Sequence, residues 1–117
     1  MGCLREGSSA AGKVLASLEG RYVIEGYDSF GHVLVNFNNR IIREGTSSNG
    51  DIIANLHENY IIEGKNNTGD IIARIEGNYI IYVKETEEVV MFNIEGYASV
   101  HEKAALGTAG LMLKGLI

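Results

Sequence analysis

Four dipeptides in this chain pair a planar hydrogen-bonding group with a strand-forming side chain: Arg21-Tyr22, Arg40-Ile41, Asn59-Tyr60 and Asn78-Tyr79. Each lies 19 residues after the one before. A phenol ring beside an amide or guanidinium suits stacking on a sugar or nucleobase, with arginine available for a phosphate. Arg21, Tyr22, Arg40, Asn59, Tyr60, Asn78 and Tyr79 are therefore the candidate ligand-binding residues. The competing reading is that the tyrosines are half-buried strand residues of high β propensity.

Other chemistry has less to build on. His32, His57 and His101 fall at three different phases of the 19-residue step, without a second ligand at metal spacing. The serines cluster in polar stretches, no Gly-x-Ser-x-Gly elbow occurs, and no nucleophile can be paired with a base. The sequence therefore points away from an enzyme and from a metal or other cofactor. Glu6, Glu25, Glu44 and Glu63 form a carboxylate column that suits a solvated rim better than a Ca²⁺ site. Cys3, the single cysteine, shares its column with Tyr22, Ile41, Tyr60 and Tyr79, which suits packing and excludes an internal disulfide.

The elements that must position these residues follow from the repeat. Gly7, Gly26, Gly45 and Gly64 keep the 19-residue step, as do Gly12, Gly31, Gly50 and Gly69. The intervening loops are "SSAA", "YDSF", "TSSN" and "KNNT". A lysine follows the second glycine only in the first loop, Lys13 after Gly12, and Val14 stands there where a phosphate loop has serine or threonine, so hairpin ends account for these loops better. Apolar runs follow, "VLASL", "VLVNF", "IIANL" and "IIARI", then a short turn, then "YVIEG", "IIREG" or "YIIEG". A fifth run, "VMFNI" at Val90 to Ile94, fits with its glycines lost. Branched residues in alternation are a strand signature. Each unit thus reads strand, turn, strand, turn, with an always-aliphatic column at Leu4, Val23, Ile42, Ile61 and Ile80.

One hairpin does not stand alone, so the units must share a core. The expectation is a mainly β domain of about five tandem 19-residue hairpins packed around an axis. A parallel β-solenoid is the alternative, and it would stack the glutamate column as a ladder of like charges. The units "GDIIANL…YIIEG" and "GHVLVNF…RIIREG" resemble small bacterial and phage proteins of the four-fold β-flower type, over about residues 2 to 95. That resemblance implies an antiparallel β fold and transfers no catalytic residue; the tryptophan signature of that type is absent.

The last stretch, residues 98–117, departs from the repeat of residues 1–97. It has helical composition, with Ser99 and Glu102 at capping-box spacing, and reads as a helix that plugs or caps the hairpins. Its apolar run is too short for a membrane span. Gly107, Gly110 and Gly115 permit close approach to another surface.

At 117 residues the whole is a single domain. A net charge of −5 argues against nucleic acid as partner. No charged-then-apolar leader is present and Glu6 breaks the myristoylation pattern, so a cytoplasmic location is expected, where the Asn66-Asn67-Thr68 sequon has no role. The leading expectation is a non-enzymatic interaction or scaffold domain, self-associating as a homo-oligomer through its tail or strand edges. The alternative is a small-ligand binder for a sugar or nucleotide, such as a phage or bacterial sponge for a signalling nucleotide.

Overall fold

The computed structural model describes residues 2–27, 31–84 and 86–117. Asp28, Ser29 and Phe30 of the second glycine-bounded loop lie outside the described residues, as do Met1 and Glu85. Ten strands run β1 (Cys3–Glu6), β2 (Val14–Glu19), β3 (Tyr22–Glu25), β4 (Val33–Asn38), β5 (Ile41–Glu44), β6 (Ile52–His57), β7 (Tyr60–Glu63), β8 (Ile71–Glu76), β9 (Tyr79–Tyr82) and β10 (Val89–Glu95). Every strand pairs antiparallel with its neighbours in sequence, and β1 closes on β10, giving a closed barrel. The parallel solenoid is thereby overturned. Its stacked glutamates are relieved, because Glu6, Glu25, Glu44 and Glu63 end alternate strands, roughly 9–10 Å apart at the usual strand spacing.

Two kinds of connection alternate. At one rim, two-residue turns join Glu19 to Tyr22, Asn38 to Ile41, His57 to Tyr60 and Glu76 to Tyr79. At the other rim run the glycine-bounded loops, whose two glycines are needed for different reasons. Gly64 has φ of 89°, a left-handed conformation that side chains resist. At Gly69 a Cβ would stand 2.0 Å from the Glu63 carbonyl oxygen, so only glycine lets the loop close. Each loop-side junction also carries a register shift, as between Ile61 and Ile62, which bends the strand and helps the sheet close.

The aliphatic column read from the sequence lines the interior: Leu4, Val23, Ile42, Ile61 and Ile80 are all buried. Beside it runs a second buried column of mostly small residues, Ala16, Val35, Ala54, Ala73 and Phe92. The small members leave the axis open, and helix α1 (Val100–Leu113) fills it. Residues from Ala104 to Leu111 are buried in succession, more than two full turns with no solvent face. The helix packs against strands on all sides of the barrel, β1, β2, β3, β4, β6, β7, β8 and β10 among them. It is a plug. Its 14 residues span about 21 Å, against a shortest molecular dimension of 24 Å.

Both ends of the plug are closed locally. Ser99 accepts from the Glu102 N–H while Glu102 accepts from the Ser99 N–H, completing the capping box. At the far end Leu116 N–H donates to the Leu111 carbonyl and Gly115 N–H to that of Met112, with Gly115 at φ 72°, a Schellman ending. The buried Thr108 hydroxyl donates to the Ala104 carbonyl one turn back, so the interior keeps no idle polar group there.

Candidate functional site

With the axis filled, the surfaces open to a partner are the outer wall and the two rims. Because Leu4, Val23, Ile42, Ile61 and Ile80 face inward, the residue before each faces outward. Register then places each of these between two outward neighbours. The rows read Glu95–Cys3–Ser17, Glu19–Tyr22–Asn36, Asn38–Ile41–Asn55, His57–Tyr60–Arg74 and Glu76–Tyr79–Asn93.

The seven candidate residues lie along this ring without converging. Arg21, Arg40, Asn59 and Asn78 are exposed in the two-residue turns, and Tyr22, Tyr60 and Tyr79 open β3, β7 and β9. Local pairs do form. The Arg21 guanidinium lies 5.7 Å from the Tyr22 ring centroid, Arg40 Nη1 donates to Asn55 Oδ1 at 3.4 Å, and Asn59 Nδ2 donates to the Ile75 carbonyl at 3.2 Å. The Asn78 carbonyl accepts from Ile94 N–H at 2.7 Å. The tyrosines do not meet: at least one strand always separates them, and they sit on a convex wall rather than in a shared cleft.

The third member of each row was not singled out by sequence reasoning, and it carries the tightest chemistry. Asn55 faces outward yet has no solvent exposure, because the following glycine-bounded loop folds down over it. Its Nδ2 donates to the carbonyls of Gly64 at 2.8 Å and Asn66 at 2.9 Å. Asn36 makes the same pair with Gly45 and Ser47, and Asn93 with Gly7 and Ser9. The signal was present: an asparagine recurs inside an apolar run at a multiple of the 19-residue step. Arginines brace the loops from the neighbouring strand, Arg5 Nη1 donating to the Gly12 carbonyl and Arg43 Nη1 to that of Gly50.

The closing seam between β1 and β10 holds three titratable groups shifted from their ordinary values. Arg5 Nε donates to Glu95 Oε1 at 2.7 Å, and Nη2 lies 2.6 Å from the same oxygen. These bonds hold the Glu95 carboxyl below its ordinary range and push the Arg5 guanidinium up. Burial, reinforced by the bond from Sγ to Glu95 Oε1, pushes the Cys3 thiol up, away from a reactive thiolate. On β8, Arg74 is pushed up by its bonds to Glu88 and Glu76. Among the described residues no group of three or more His, Cys, Asp or Glu side chains is placed to hold a metal ion.

A cavity of about 240 Å³ opens at this seam, lined by Gly2, Cys3, Ser17, Tyr27, Glu95 and Gly96. A wider depression of about 520 Å³ lies at the loop rim beside the end of the helix, where His32, Leu34, Glu44 and Met112 meet. Among the described residues no helix is long and apolar enough to cross a membrane.

A closed meander of hairpins around a central helix, with loops pinned to its outer wall at a fixed step, defines a plugged hairpin barrel. The chain belongs to the family described as 6-fold beta flower protein, whose model matches residues 4–115. The flower type read from the sequence is thus correct, and its four-fold symmetry is corrected to the six-fold family. No curated protein and no solved structure matches the chain.

Proposed function

We propose that this protein is a non-enzymatic interaction domain that acts through its outer surface and self-associates at its loop rim. We read its ten strands as five hairpin copies of one unit, so that one surface motif is presented repeatedly around the axis. The observation that carries the reading is the filled interior: the helix, buried on every side along Ala104–Leu111, leaves no internal chamber for a substrate among the described residues. Two of the exposed large apolar residues, Ile71 and Val89, begin β8 and β10 at the loop rim, on either side of the end of β9. That stretch of the loop rim is the favoured contact between copies.

Light scattering across a dilution series tests it. The expected result is a mass that rises with concentration in the parent chain and stays at one chain for Ile71→Lys combined with Val89→Lys. A parent mass of one chain throughout the series would overturn the self-association.

A further inference from the structure

The five outward rows are equivalent by register but unequal in size. The middle position is tyrosine in three rows and isoleucine in a fourth, yet it is Cys3 in the first. The third position is asparagine or arginine in four rows, yet it is Ser17 in the first. Cys3 and Ser17 face each other directly across β1 and β2, so the smallest members of both columns coincide. The seam cavity of about 240 Å³ lies at this coincidence. Tyr27 borders it without filling it, since it remains 74% exposed.

We propose that the seat at Cys3 binds a small single-ring aromatic molecule bearing a hydrogen-bond donor, the ring lying where Tyr22, Tyr60 and Tyr79 place theirs in the equivalent rows. The wall at this position already accommodates a phenol ring in three rows. What distinguishes the first row is that, among the described residues, no side chain supplies such a ring. Tyr27 offers an aromatic face at the edge of the seat. Glu95 supplies the polar anchor: the bonds from Arg5 and Cys3 fall on Oε1, leaving Oε2, among the described residues, as an acceptor for the ligand's donor. Because Arg5 already balances the Glu95 charge, a neutral donor fits better than a cation. Ser17 Oγ, which donates to the Gly26 carbonyl at 3.0 Å, keeps lone pairs for a second donor. The site uses the Glu95 end of β10, away from the proposed contact between copies at the loop-rim starts of β8 and β10.

The test uses p-cresol, which reproduces the tyrosine side chain, titrated into the full chain and followed by backbone amide chemical shifts. Saturating shifts are expected at Gly2, Cys3, Ser17 and Gly96. Cys3→Tyr and Ser17→Asn each restore the larger residue found in other rows, and each is expected to weaken binding by about ten-fold or more, equivalent to roughly 1.4 kcal/mol. If Cys3→Tyr fails to fold, Ser17→Asn decides the matter. 4-Methylanisole, whose oxygen carries no proton, is expected to bind more weakly than p-cresol. Absence of localised shifts, or unchanged affinity in the folded variants, would overturn the site; equal affinity for 4-methylanisole would overturn the donor to Glu95.

Discussion

Gly110 faces the ring of Phe92 with room for a hydrogen and nothing larger. A Cβ at Gly110 would stand 2.8 Å from both Cε2 and Cζ of Phe92 and 2.6 Å from Leu4 Cδ2. Phe92 is the one large residue in a column that otherwise holds Ala16, Val35, Ala54 and Ala73. The helix is notched where the wall bulges. Strand and plug are therefore fitted to each other in one rotational setting.

Gly110→Val is accordingly expected to destabilise the protein by overpacking, about 1–3 kcal/mol, even though any residue other than proline favours a helix over glycine. Thermal denaturation monitored at both β and helical wavelengths checks this. The double change Gly110→Val with Phe92→Ala is expected to recover part of the loss, which a site free of contact would not do.

Replacing Asn55 by leucine, close to it in size, is expected to cost about 1–3 kcal/mol, because the carbonyls of Gly64 and Asn66 lose their buried donor. Asn36→Leu should cost a similar amount, since it serves Gly45 and Ser47 in the same way. Chemical denaturation of the two single variants and the double variant measures the effect. Near-additive losses are expected for these separate loops.

Acid should weaken the barrel at its closing seam. The folded carboxyl of Glu95 is held below its ordinary value by Arg5, so its contribution is present above the ordinary carboxylate range. That contribution is lost as pH falls through the depressed folded value. Melting temperature against pH for the parent and Glu95→Gln is the check. The two curves should lie apart at neutral pH and converge at the acid end; a constant gap would contradict the assignment.

Much of this architecture was legible in the sequence because the 19-residue step is unbroken. The period located the strands, the branched column at Leu4, Val23, Ile42, Ile61 and Ile80 named the core, and Ser99 with Glu102 marked the start of the helix. Closure was harder to read. It depends on β1 meeting β10, a contact between the two ends of the repeat that no local pattern encodes. Alternation in "IIANL" reports only which side Asn55 faces. It does not report whether a loop returns to cover that side. The tyrosine column was visible as a repeat, but a repeat on a closed convex wall disperses equivalent residues instead of gathering them. The seam cavity was legible only as a departure from the pattern, at Cys3 and Ser17.

A helix occupies the interior of this barrel, buried among its strands from Ala104 to Leu111. Native-state hydrogen exchange of the helix amides from Ala104 to Leu111 tests it most directly. These amides are expected to exchange only with global unfolding, at the same free energy as those of Ile61 and Ile80. Exchange of the helix through a cheaper opening, with the strand amides still protected, would mean that the plug leaves the barrel and would contradict it.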